Sequence, residues 1–281
     1  MEATGHWMYL YEQLEASPAE FVLAHPKQLK AIATARLKND KVDSEMLATL
    51  LRADLIPPAY VPRRAVRDLR ELLRMRAALV QTRSVVKIRL RSILLKTGYD
   101  CPDANILGKK SQAFCRSLEL RECYRLGLDH WLRVGAQLNL QLKEVDRELA
   151  ERVEKNSEAA LLMSMPGLGL YSALLILAEI GEIGRFKYSD QLVSYAGLAP
   201  RVKKSANHTK RGSITKEGSK YLRWILIEVA PHAIRKSKRF RRKYQGIVKR
   251  RGAHKARVAV AALMLRCIHW MLTHQESFKD A

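Results

Sequence analysis

The chain has 281 residues, 47% of them hydrophobic, enough to bury a core in about one to three domains, which excludes a disordered tail. Its 51 Lys and Arg against 28 Asp and Glu leave a net charge of +23 and a pI near 10.1, a self-repelling surface that calls for an anionic partner. Nucleic acid fits that partner, because every neutralised phosphate releases condensed counterions; a membrane surface fits poorly with aromatics at 7%.

The first sixty residues mix helix and strand. His6 to Glu15 has helical spacing, and Glu20 to His25 is a short apolar run stopped by Pro26. A helical stretch follows in which Asp40 and Asp43 stand three apart, on one face. Two readings are open: a joint cation site, or a solvated acidic face. Pro57, Pro58 and Pro62 then break the pattern and mark a boundary.

From Arg63 to Leu95 apolar residues recur at helical spacing with arginines on the other faces, and a second periodic stretch from Trp131 runs to about Val153. The polar interval Lys96 to Lys110 turns the chain between them. The pair predicts an antiparallel coiled-coil hairpin serving as a scaffold or dimerisation arm, with its arginine-rich helix adding contact to a nucleic-acid backbone. At Met165-Pro-Gly-Leu-Gly169 a glycine turn precedes the apolar helix Leu170 to Glu179. It resembles the hairpin of helix-hairpin-helix modules, with Gly167 and Gly169 facing phosphate; a tight turn in the core is the other reading.

Tyr195 to Arg223 packs Gly197, Pro200, Gly212 and Gly218 among Arg201, Lys203, Lys204, Lys210, Arg211, Lys216, Lys220 and Arg223, with Glu217 its single acid. Such punctuation predicts an irregular, basic, solvent-facing platform. Its hydroxyls Ser205, Thr209, Ser213 and Thr215 are open to two uses, attack on phosphorus or contact with phosphate oxygens. A helix from Tyr221 to Ile234, interrupted by Pro231, leads into a dense cationic run between Arg235 and Arg257 that includes Arg239 and Arg242. Phe240 and Tyr244 within that run either stack on bases or fill a small core. A helix from Ala256 to Leu272 closes the chain.

Cys101, Cys115, Cys123 and Cys267 form no CxxC pair and no zinc spacing, as reduced cytosolic thiols would. No signal peptide opens the chain and no segment is expected to reach the length of a membrane span, so the expected location is the cytoplasm. Walker, Rossmann, HExxH and GxSxG patterns are missing. His208 and His254 fall in basic loops, suited to phosphate. What remains are two acidic spots, Glu2 and Asp40/Asp43, and one hydroxyl-bearing basic loop; carboxylates in general can hold a divalent metal, and a serine can act as a nucleophile.

Glu2-Ala-Thr-Gly5, Lys38-Asn-Asp40-Lys-Val-Asp43 with Met46-Leu-Ala48, Pro166-Gly-Leu-Gly169, Tyr195-Ala-Gly-Leu-Ala-Pro200, Ser205 and Thr215-Lys-Glu-Gly218 with Leu222-Arg223 stand in an order that resembles the Piv-type DNA invertases. The same signatures mark their relatives, the insertion-sequence transposases known as bridge-RNA-guided recombinases. The resemblance implies a mainly α chain in three parts. These are a partial RuvC-like (RNase H fold) α/β domain at 1–60, a coiled-coil arm at 61–158, and a helical C-terminal transposase domain at 159–281. It further implies Ser205 as a nucleophile forming a serine–DNA ester, Glu2, Asp40 and Asp43 as Mg²⁺ ligands, a structured guide RNA, and dimers pairing into tetramers on DNA.

Two departures accompany the resemblance. The family's first Asp and its strand precede the Glu, whereas this chain starts one residue before Glu2, and Ala206 follows Ser205 where the family commonly has glycine. They lead to the expectation of an N-terminally truncated copy that lacks strand-transfer activity alone. The alternative is a non-catalytic nucleic-acid-binding remnant, with a ribosomal-type RNA binder favoured by charge only.

Overall fold

The computed structural model of the protein describes residues 1–3, 5–15, 17–32, 40–154, 156–205 and 208–280; the side chains of 31, 40, 41, 153, 154, 203–205 and 208–211 lie outside that description. Packing divides the chain into two units, Met1–Arg63 and Arg64–Ala281.

The first unit is built on three short extended segments joined by backbone hydrogen bonds. Glu2 bridges Ala24 in parallel, with Ala24 N–H donating to Met1 O at 2.7 Å and Ala3 N–H to Ala24 O at 3.1 Å. Ala24 also bridges Pro58 antiparallel, flanked by bonds from His25 to Pro57 O and from Ala59 to Leu23 O. Pro58 has no N–H to give, so its neighbours carry that pairing. Helix α1 (Trp7–Leu14) connects the parallel segments, followed by α2 (Pro26–Ile32) and α3 (Asp40–Arg52). Pro26, expected only to end the apolar run, also opens α2, since its fixed φ suits the first helical turn.

In the second unit, α4 (Arg64–Lys96) and α6 (Glu122–Glu154) run antiparallel, with α5 (Lys109–Ser117) between them in sequence. Arg76 pairs with Asp146 at 2.5 Å and Arg83 reaches Asn139 at 3.1 Å, a register running in opposite directions along the two helices. Their far ends enclose a core of Val86, Leu90, Leu94, Leu128, Leu132 and Leu138 with Ile106 and Leu107 of the connecting segment.

The near ends belong to a different core. Leu73 and Leu149 are buried with residues of α7 (Ser157–Met163), α8 (Leu170–Ile180), α9 (Ser189–Tyr195), α10 (Lys220–Lys236), α11 (Lys238–Arg251) and α12 (Ala253–His274). Between α9 and α10 the chain forms an antiparallel pair, β1 (Pro200–Ser205) and β2 (His208–Ile214).

Two expectations are corrected and an open one is decided. Pro231 does not interrupt α10, which continues to Lys236: one missing N–H is outweighed by the buried row Leu222, Ile225, Leu226, Val229, Ala230 and Ala233. Much of the cationic run is helical, and of the two readings of Phe240 the core one holds: it is fully buried and stacked on Phe278 at 5.3 Å. Finally, the 22-residue α12 is long and apolar enough, by length and composition, to cross a membrane. Most of its length is buried in the protein's own core, which is why a soluble core helix shows the same composition.

Candidate nucleic-acid interface and serine hairpin

The segment expected to be irregular is instead a β-hairpin on a braced stem. Val202 pairs with Arg211, Lys203 with Lys210, Lys204 with Thr209 and Ser205 with His208, with a bulge between Pro200 and Val202. Regular pairing escapes a sequence reading because the strands carry almost no apolar residues to alternate with polar ones: Val202, the one large apolar residue of β1, is 57% exposed. Ser205 ends β1; Ala206 and Asn207 lie outside the described residues, as do Thr4, Lys38 and Asn39 of the motifs above.

The stem carries the order. Thr215 N–H donates to Ala199 O at 2.9 Å, Lys216 to Gly197 O at 3.1 Å and Ser219 to Tyr195 O at 3.1 Å, so the chain entering the hairpin is bonded to the chain leaving it. Gly197 and Gly218 sit at φ +66° and +77°, where glycine alone is unstrained, and each lacks a Cβ that would overlap the opposing backbone, Glu217 for the first and Tyr195 for the second. Lys216 shares the left-handed conformation at φ 59°. Arg223, expected to bind nucleic acid, is half-buried and donates to Ala196 O at 3.1 Å, bracing the stem.

The hydroxyls separate on geometry. Ser213 lies within β2, and Thr215 Oγ1 is shielded from solvent without a hydrogen-bond partner among the described residues, so neither begins α10 and Thr215 does not offer its hydroxyl to phosphate. The helix start belongs to Ser219, whose Oγ accepts the Leu222 N–H at 3.1 Å. His208 lies in β2 and His254 in α12 rather than in loops.

Gly167, at φ +95°, turns toward α10: a Cβ there would stand 2.7 Å from the Ala233 nitrogen. Gly169 is exposed at the start of α8, and its N–H is taken by Ser172 Oγ at 2.8 Å. The glycine turn is therefore largely a packing device. Arg201 and Lys216 are exposed at the hairpin base, with Arg201 also donating to Thr215 O at 3.3 Å. Lys203, Lys204, Lys210 and Arg211 lie on the strands. On α11, Arg242 is exposed, and the half-buried Arg239 lines a cavity of about 380 Å³ with Trp270 and Cys267. All four cysteines are free, and burial pushes the Cys115 and Cys267 thiols up.

Sequence reasoning missed Glu179, the single charged residue of the apolar α8 and only 2% exposed. Its carboxylate takes Arg74 Nε at 3.0 Å, Arg74 Nη2 at 3.3 Å and Ser219 Oγ at 2.8 Å. Its carbonyl takes Arg70 Nη2 at 3.0 Å and Tyr195 Oη at 3.2 Å. A lone acid in an apolar helix was the available signal, since a buried charge demands partners. Beside it, Tyr171 donates to Leu73 O at 3.1 Å; burial pushes its phenol up to about 12 against the pull of Arg76, which lies 4.1 Å over the ring.

In the first unit, Glu2 is half-buried within the bridged segment, Asp40 opens α3, and Asp43 is exposed three residues on. Oxygen donors suit a hard divalent cation. Among the described side chains, which do not include that of Asp40, there is no group of three His, Cys, Asp or Glu placed to hold a metal.

A helical scaffold presenting a basic hairpin and a cationic helix is suited to a polyanionic partner. A transposase domain model of the DEDD type matches residues 1–98, and the model described as Transposase IS116/IS110/IS902 family matches residues 159–245. The chain belongs to this family of insertion-sequence transposases. It is similar to the putative transposase y4qE of Sinorhizobium fredii, 30% identical over 79% of this chain and 54% of the relative. The transposase for insertion sequence element IS1111A of Coxiella burnetii is 27% identical over 99% of this chain and 78% of its own length. The pilin gene-inverting protein of Moraxella bovis is 28% identical over 81% and 64%. The chain thus spans about half the length of the first of these relatives. The DEDD type of domain implies use of a divalent metal.

Proposed function

We propose that the chain takes part in cutting and rejoining DNA, with Ser205 as the nucleophile. In this reading the Ser205 oxygen forms a bond to a DNA phosphorus while the bond from that phosphorus to a sugar oxygen breaks, and the departing sugar oxygen takes up a proton. The ester conserves the bond for rejoining, by attack of another strand's hydroxyl. The observation that carries it is the stem: a hydrogen-bonded, glycine-crossed base holds a basic two-stranded finger with Ser205 at the end of its first strand. Pre-organised positioning is the main requirement of phosphoryl transfer.

Arg201, Lys203, Lys204, Lys210, Arg211, Lys216, Arg239 and Arg242 would supply phosphate contacts. Glu2, Asp40 and Asp43 would be the carboxylates for Mg²⁺, a reading supported by the DEDD type of domain. A structured guide RNA and a dimer pairing into a tetramer complete the proposal, supported by the family relationship and the net charge of +23. A second reading, binding without cutting, needs only the basic hairpin and the net charge of +23.

The test is to incubate the protein with DNA carrying its element's ends, with and without RNA transcribed from the element's non-coding flank, and to resolve the products under denaturing conditions. The proposal expects protein-linked DNA that Ser205→Ala abolishes while binding persists. Protein-linked DNA at equal yield in both would remove Ser205 from the chemistry; none in either would leave the binding reading.

A further inference from the structure

We propose that Glu179 is a positioning residue that couples the helical arm to the serine hairpin. The inference rests on Ser205 being the reacting hydroxyl for its catalytic consequence, but not for the coupling itself. Burying a carboxylate is unfavourable unless its lone pairs are taken up, and a packed apolar residue of similar size usually serves stability as well. What an apolar residue does not provide is direction.

Glu179 gives direction toward three elements at once. Arg74 and Arg70, one turn apart on α4, grip its carboxylate and carbonyl. Arg70 Nε adds a bond to Ala178 O at 2.6 Å. Ser219, where the chain leaves the hairpin, donates to the same carboxylate, and Tyr195, where the chain enters it, donates to the same carbonyl. Ser219 and Tyr195 are themselves joined by a backbone bond at 3.1 Å. Arg74 also lies 5.0 Å over the ring of Tyr221, in the first turn of α10. A change in the angle of α4 therefore acts on both legs of the stem through one side chain and one peptide group.

The stem is in turn stiff. Gly197 and Gly218 leave no room for the legs to slide past each other, so a displacement of Ser219 or Tyr195 moves the finger as a body. Whatever grips the arm, a second copy of the chain or a nucleic-acid backbone, thereby influences where the end of β1 points.

The experiment uses the full chain with Glu179→Gln, which keeps an oxygen for Ser219 and loses the ionic fork, and Arg74→Lys, which keeps the charge and loses the fork. Amide hydrogen exchange is followed at Thr215, Lys216 and Ser219 and, for comparison, at Leu90 and Leu128 in the arm's own core. Protection at the three stem amides is expected to fall about tenfold or more with the arm amides unchanged. At saturating DNA, formation of the serine-linked product is expected to slow about tenfold with affinity within about twofold, and the double variant to be no slower than either single one. Tyr195→Phe, which removes one hydroxyl, supplies a milder loosening if the charge variants do not fold. Unchanged stem protection, or an equal loss across the whole unit, would overturn the coupling. If the native chain forms no DNA adduct, the Ser205 reading fails while the exchange comparison still decides the coupling.

Discussion

Replacing Gly218 with alanine tests whether the crossed stem orders the hairpin. Holding an L-residue at φ +77° costs about 1–2 kcal/mol. The new Cβ would also overlap the Tyr195 carbonyl oxygen, a backbone atom that cannot step aside without weakening the bond it accepts from Ser219. Losing that bond adds about 0.5–1.5 kcal/mol. The total is about 2.5 kcal/mol, which for a unit of this size lowers the melting midpoint by roughly 5–10 °C. Gly212→Ala is the matched control: it lies on β2, and its Cβ would meet Arg201 Cβ at an ordinary 3.7 Å. Denaturant titrations of the two variants at equal m-value give the comparison. A Gly218→Ala loss below about 1 kcal/mol, or equal to that of Gly212→Ala, would refute the claim that the stem is locked by backbone contact.

Two further outcomes follow from the C-terminal half. Asp280 accepts Ser237 Oγ at 2.6 Å and the Lys238 and Arg239 amides at 3.0 and 3.1 Å, capping α11, and the Ser237 bond holds its carboxyl below the usual range. Asp280→Ala should therefore cost about 1 kcal/mol. Because the folded pKa is the lower one, that contribution is present above about pH 4 and is lost as pH falls through the folded value, so native and variant melting curves should converge in acid. Arg239→Ala with Arg242→Ala should reduce the slope of log affinity for DNA against log salt by about 2, whatever the DNA sequence; an unchanged slope would place both residues outside the phosphate contact.

The parts of the fold that were legible in the sequence are those held by local periodicity. The apolar spacing read from Arg63 to Leu95 marks α4 almost to the residue, because a long helix keeps one buried stripe along its length. The hairpin was hidden for the opposite reason. Its strands have no alternating apolar face, and its pairing is fixed by contacts between residues about twenty apart, Gly197 with Lys216 and Tyr195 with Ser219. Pro231 misled because its missing hydrogen bond is judged locally, while the burial that outweighs it is tertiary. Glu179 was legible as a type, a buried acid, but not as a junction, since nothing in the sequence spacing brings Arg70, Arg74, Tyr195 and Ser219 to it. Asp40 and Asp43 were legible as an i, i+3 pair on a helix, which α3 bears out, whereas Ser205 was singled out by ordered resemblance and its place at the end of a strand was not foreseen.

The arm also has the mechanics of a lever. Arg70 and Arg74 clamp α4 at points about 6 Å apart along its axis, while its end at Lys96 lies about 33 Å beyond the clamp at 1.5 Å per residue. A clamp that short magnifies motion roughly fivefold, so half an ångström of slack at the base sweeps the tip through about 2–3 Å. Run in reverse, the same ratio multiplies force: a light, sustained pull at the tip arrives at the base as a strong torque over a sub-ångström stroke.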